Sequence, residues 1–153
     1  MEDGNNKGGN LPRLMKLETH TDERGYLVPL TNKLNDELGK PIKRTYVVGN
    51  FSKGTVRGLH YHEEEIKVFF VVKGSAKFVV INPNNALDKH SFVLSSRSHQ
   101  LVIVPPMYAN GWVSLEDDTI LVSLSTSTFE ESTKDDKRYD PYQWGDVWTI
   151  KAR

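Results

Sequence analysis

From residue 17 to residue 126 the chain is cut by turn residues into short β-rich segments at intervals of about 8 to 12 residues, the rhythm of a sandwich or barrel. A fold of alternating helices and parallel strands would need longer stretches of helical apolar period between its strands. Nine segments read as strands: 26–30, 42–51, 56–62, 67–73, 75–81, 90–94, 100–104, 111–115 and 119–126. Turn chemistry separates them, with Ser52-Lys53-Gly54, Lys73-Gly74, the NPNN run at 82–85, Pro105-Pro106 and the EDD run at 116–118. Only 32–40 reads as a helical turn, closed by Gly39 and Pro41. The expected architecture is therefore all-β and mostly antiparallel.

A chain of 153 residues is the size of one domain. Residues 1–12, polar and rich in Gly and Asn, read as a flexible leader without a secretory core, 13–153 as the single domain, and 128–153 as a closing C-terminal segment. The aromatic part of that segment, with Trp144, Val147, Trp148 and Ile150, needs an apolar surface on the barrel or on a partner subunit. Twenty basic and twenty acidic residues cancel, so nothing in the net charge points to nucleic acid or to a membrane surface. The apolar runs are far too short to span a membrane as a helix. The absence of cysteine excludes disulfides, thiolate nucleophiles and cysteine-ligated zinc, and fits a cytoplasmic location.

The run VRGLHYHEEEIKVFFVVKG, residues 56–74, carries the chemistry. Side chains alternate faces along a strand, so His60 and His62 share one face, as the first half of a metal site would require. Lys67 stands where a third, acidic ligand would fall, and an ammonium donates hydrogen bonds but cannot bind a cation. If Lys67, Phe69 and Val71 point into a barrel, Val68, Phe70 and Val72 point out toward another layer.

Gly54, His60, His62 and Gly74 resemble the first motif of the cupins, with Lys67 in its glutamate position. PPMYANGW (105–112) resembles the second, with Met107 for glycine and Asn110 for the fourth ligand. The resemblance implies a cupin double-stranded β-helix, or jelly-roll barrel. HTDERGYLVPL (20–30), VRGLHYH (56–62) and the strands that follow to about residue 127 resemble the dTDP-4-dehydrorhamnose 3,5-epimerases. PIKRTYVVG (41–49) and the His-x-His pair resemble the dTDP-4-keto-6-deoxyglucose 3,4-ketoisomerases. Both groups are metal-free isomerases of nucleotide-linked 4-keto-6-deoxy sugars, without cofactor and usually homodimeric, so a dTDP-linked substrate and a homodimer are implied here too, with epimerisation beside the C4 ketone as the leading expectation and 3,4-ketoisomerisation as the alternative.

By that resemblance His60 is the base that removes a proton beside the ketone, Lys67 stabilises the enolate, and His62 is a second proton-transfer group. Arg24 and Arg57 match residues that hold the diphosphate, and Tyr26 matches an aromatic at the nucleotide end. The epimerases' proton-donating tyrosine has no counterpart in LVSLSTSTFEES (121–132), where Ser125, Ser127 and Thr128 stand, which leaves His62 as the substitute donor, or else Tyr46 or Tyr108, with Tyr46, Tyr108 and Asn110 expected to bind substrate. The carboxylate that orients the epimerase base is expected to be missing. Arg57 has the wrong strand parity to face the same site as His60 unless the backbone bends at Gly58. A binding module without catalysis is the alternative in which these departures abolish the chemistry. His20, His90 and His99 read as surface or strand-end residues, 63–65 as a solvated turn, EESTKDD (130–136) as a solvated loop, and the tail tryptophans as packing.

Overall fold

The computed structural model describes residues 11–153, so all but the last two positions of the expected leader lie outside the described residues. Twelve strands and two short helices follow one another as β1 (Arg13–Lys16), β2 (His20–Asp22), β3 (Gly25–Leu27), α1 (Leu34–Leu38), β4 (Arg44–Asn50), β5 (Val56–Tyr61), β6 (Lys67–Lys73), β7 (Ser75–Asn82), β8 (Asn85–Ser95), β9 (Gln100–Val104), β10 (Ala109–Ser114), β11 (Thr119–Ser125), α2 (Phe129–Lys134) and β12 (Lys137–Arg138). Two five-stranded sheets face each other, ordered β1-β9-β6-β11-β4 and β12-β5-β10-β7-β8, while β2 and β3 form a separate hairpin. Every strand pairing is antiparallel. This is the jelly-roll expected from the sequence.

Strand alternation divides the apolar residues among three layers. Phe69, Val71, Phe78, Val80, Val102 and Trp112 fill the space between the sheets. Val68, Leu101, Ile103 and Leu124 face outward from the first sheet and are covered by Leu17, Leu34 and neighbouring residues of the N-terminal segment. Leu59, Val79, Ile81 and Val113 face outward from the second sheet beneath Trp148, Tyr139, Trp144 and Val147 of the C-terminal tail. The tail tryptophans are packing residues, and the tail lies on its own barrel. Trp148 is anchored further by donating its indole N–H to the Pro141 carbonyl at 2.9 Å.

The structure adds elements that the periodicity did not reveal. β1 pairs with β9, and β8 runs over eleven residues rather than five. Helix α2 stands where a solvated loop was expected, with Thr128 and Glu131 forming a reciprocal capping box. That signature, Thr128-x-x-Glu131, is legible in the sequence.

β5 contains the bend that the arginine needs. Across its pairing with β10, His60 faces Asn110 and Arg57 faces Trp112, so three steps on β5 match two on β10. The extra residue is a bulge, which reverses side-chain parity between Arg57 and His60. Gly58 makes it possible: its φ is +130°, and a Cβ there would sit 2.6 Å from the Gly111 Cα.

Candidate active site

A cavity of about 450 Å³ opens at the end of the barrel interior, with Phe69, Val48 and Trp112 as its apolar lining. His60 and His62 enter it from β5, Lys67 from β6, Arg44 and Tyr46 from β4, and Asn110 from β10. Arg57 also reaches it because of the bulge. Helix α2 and the residues after it form the remaining wall with Phe129, Ser132, Thr133, Asp136 and Arg138. Six of the residues proposed from sequence therefore converge: His60, His62, Lys67, Arg57, Tyr46 and Asn110.

The other three do not line this cavity. Arg24 and Tyr26 sit on the exposed β2–β3 hairpin, Arg24 paired with Asp22 and Tyr26 against His99 on the outer face of the first sheet. Tyr108 packs within the barrel core but turns its hydroxyl to Asp88, donating to it at 2.6 Å. Burial and the Asp88 carboxylate push the Tyr108 phenol up to about 12, which makes it a poor proton donor. His90 completes this cluster at 2.7 Å from Asp88, so it is a partnered residue rather than a free surface histidine.

Two groups expected to be solvated belong to the site. Asp136 places Oδ1 3.6 Å from His60 Nδ1, supplying the carboxylate beside the base that the sequence had appeared to lack. Glu65 is wholly buried. It pairs with Arg44 at 3.2 Å, accepts hydrogen bonds from the hydroxyls of Ser125 and Ser132, the latter at 2.8 Å, and lies 3.1 Å from His62 Nδ1. Burying a carboxylate costs several kcal/mol, roughly, and only such a set of partners offsets it. Sequence gave no sign of it because three consecutive glutamates look alike until the turn places one of them inside.

Helix α2 is stapled over the histidine turn. The Asp135 carboxylate accepts the backbone N–H groups of Glu63 and Glu64 at 2.9 and 3.0 Å, and its carbonyl accepts from His62 Nδ1 at 2.7 Å.

Electrostatics set the protonation of the pair. Burial, reinforced by the nearby Lys67 ammonium, holds the His60 imidazole below its ordinary range against the opposing pull of Asp136. Burial likewise lowers His62, with Glu65 opposing. Asp136, which burial alone would raise, is held low by Arg138 and by His60. Near neutral pH the arrangement is a neutral imidazole beside an ionised carboxylate, as a general base requires.

Lys67 donates a hydrogen bond to the Tyr46 hydroxyl at 3.2 Å. Arg57 is held by Asn50 and the Gly49 carbonyl at 2.7 and 3.1 Å, and Arg138 by Asp136 at 3.1 Å. Among the described residues four cationic side chains thus line the cavity against one acidic one, a field that attracts a polyanion. No three His, Asp or Glu side chains among the described residues are grouped to hold a metal ion.

Residues 10–144 match the family described as FdtA, WxcM-like, C-terminal. The chain belongs to that family. It is 24% identical over 148 residues to the dTDP-4-dehydrorhamnose 3,5-epimerase of Methanothermobacter thermautotrophicus, covering 90% of this chain and 79% of that protein. Among solved structures, the dTDP-4-dehydrorhamnose 3,5-epimerase of Bacillus anthracis, with TDP and pyrophosphate bound, superposes with a TM-score of 0.78 at 21% identity, over 92% of this chain and 86% of its own. QdtA, a sugar 3,4-ketoisomerase of Thermoanaerobacterium thermosaccharolyticum in complex with TDP, does so with a TM-score of 0.69 at 23% identity, over 84% and 88%. The family member described here thus shares its barrel with both kinds of enzyme.

Proposed function

We propose that the chain is an isomerase of a nucleotide-linked 4-keto-6-deoxy sugar, dTDP-linked as in its relatives, and that it works without a metal by enolisation beside the C4 ketone. The observation that carries this reading is the convergence of the His60–Asp136 pair and the Lys67 ammonium on one cationic cavity. His60 removes the proton from the carbon next to the carbonyl, and Lys67 meets the negative charge as it develops on the carbonyl oxygen. A lysine in that position replaces the Lewis acid that a metal would supply. Arg57 and Arg138 suit the diphosphate, for which guanidinium offers paired donors. Tyr46, beside Lys67, is the candidate proton donor for epimerisation at C3 and C5 in place of the absent β11 tyrosine.

A second product is favoured by a specific observation. His60 and His62 occupy the same wall, and with both histidines on one side a proton taken from C3 returns readily to C4 on the same face, which is 3,4-ketoisomerisation. Arg24 and Tyr26, if they hold nucleotide, serve the cavity of a second copy, since they lie on the outer face of their own sheet. Exposed Val47, Val72 and Leu27 on that side support a homodimer.

The test is proton exchange by NMR in D2O with dTDP-4-keto-6-deoxyglucose, repeated with His60→Ala, alongside a dTDP thermal shift. Deuterium at C3 and C5 that vanishes in the variant marks an epimerase. Exchange at C3 with migration of the carbonyl marks a ketoisomerase. A thermal shift without exchange reduces the protein to a binding module, and the absence of both signals overturns the reading.

A further inference from the structure

Glu65 does not touch the cavity, yet its surroundings are built around one property of His62. The imidazole is almost fully buried, at 4% exposure. Its Nδ1 atom lies 2.7 Å from the Asp135 carbonyl oxygen and 3.1 Å from Glu65 Oε2. The Asp135 carbonyl can only accept, so Nδ1 must carry the proton. The other ring nitrogen, Nε2, is buried and has no hydrogen-bond partner among the described residues, while His62 forms part of the cavity wall. A buried polar atom left unpaired calls for a partner, a ligand group or an ordered water among them.

Packing alone does not account for Glu65. A leucine would fill the space without desolvating a charge, whereas the carboxylate requires Arg44, Ser125 and Ser132 around it. Those partners occupy three different elements: Arg44 on β4 and Ser125 on β11 hold Oε1, while Ser132 on α2 holds Oε2, the oxygen facing Nδ1. The Asp135 carbonyl is the nearer acceptor, at 2.7 Å, and the Glu65 carboxylate sets a second acceptor oxygen 3.1 Å from the same nitrogen.

We propose that Glu65 is a positioning residue that acts through His62, locking the imidazole with its proton on Nδ1 so that Nε2 faces the cavity as a bare acceptor for a sugar hydroxyl. This rests on the isomerase reading for the identity of the hydroxyl, the one on the carbon beside the ketone. The tautomer itself does not depend on that reading.

The experiment is long-range ¹H–¹⁵N correlation of the histidine rings, with His62 identified by its loss in His62→Gln, combined with kinetics of Glu65→Gln. The unmodified protein is expected to show the Nδ1–H tautomer of His62 at neutral pH. Glu65→Gln offers an amide donor to Nδ1, so the ring shifts toward the Nε2–H tautomer and kcat falls about 100-fold while KM holds. An Nε2–H tautomer in the unmodified protein overturns the proposal even if the variant does not fold. An unchanged tautomer and kcat in a folded Glu65→Gln overturn it as well. If the unmodified protein shows Nδ1–H and the variant shifts, but neither turns over any 4-keto sugar, the isomerase reading fails and the role of Glu65 in holding the ring stands.

Discussion

Nδ1 of His60 lies 3.6 Å from Oδ1 of Asp136, a contact that joins strand β5 to the short segment between α2 and β12. The distance is beyond hydrogen-bond range, and both side chains are partly exposed, so in the absence of ligand the pair is a loose charge contact rather than a locked dyad. Catalytic contacts of this kind commonly tighten when substrate excludes water.

Asp136→Asn should therefore slow enolisation without abolishing binding. In a fully buried triad the equivalent change costs about 10⁴-fold in kcat, and the looser contact here should cost roughly 10²-fold. Asp136 pulls the His60 proton affinity upward, so its neutralisation moves the acid limb of kcat/KM to lower pH. The measurement is a pH profile of C3 exchange for both proteins, and an acid limb that stays put shows that Asp136 does not act on the base.

Lys67→Met should move the same limb the other way. The ammonium lowers His60, so its removal lets the imidazole return toward its ordinary value, though burial still holds it below. Loss of the enolate-stabilising charge should cost about 10² to 10³ in kcat, the range found when one oxyanion donor is removed. Opposite shifts in the two variants, measured on one substrate, would assign the two charges acting on His60 by sign.

Most of the strand pattern and the shared face of His60 and His62 were legible in the sequence, because they follow from alternation along single strands, whereas the place of Lys67 beside them was implied by the cupin resemblance. Asp136 and Glu65 were not legible. Both lie in charged runs whose composition reads as solvent-exposed, and what brings them inside is tertiary: α2 folds back over the histidine turn through Ser132 and Asp135. The capping box at Thr128 marked the helix, but nothing local marked where it would dock. Arg57 was expected in the site only if the backbone bends at Gly58, and the pairing register supplies that bend as a bulge.

Gly58→Ala tests that bulge. An added Cβ would meet backbone at 2.6 Å from the Gly111 Cα and 3.0 Å from the Asn110 carbonyl oxygen, in a conformation that L residues rarely adopt. Overpacking and backbone strain cost about 1 to 3 kcal/mol each, so a loss of roughly 3 kcal/mol or more is expected by urea unfolding. If the variant folds, Arg57 and His60 no longer share a wall, and affinity for dTDP should drop. A variant of unaltered stability and affinity would show that the bulge does not depend on the glycine.

Acid sensitivity should begin near pH 6.5, well above the range in which carboxylates titrate. His62 is neutral and buried in the native state, with a proton affinity below its ordinary value, whereas in the unfolded chain it titrates near pH 6.5. Between the unfolded and folded values the unfolded state binds more protons, so stability rises with pH there and is lost as pH falls through that window. The slope from this one group reaches at most about 1.4 kcal/mol per pH unit. His60, also held below its ordinary range by burial, adds in the same direction. Carboxylates held low in the fold, Asp136 among them, contribute stability that is lost only nearer pH 4 and below, so the window from about 6.5 to 4.5 isolates the histidines. Urea midpoints measured through this window should fall steadily for the native sequence and more shallowly for His62→Gln. Equal slopes would mean that His62 is protonated in the folded protein, with Glu65 as its counter-ion.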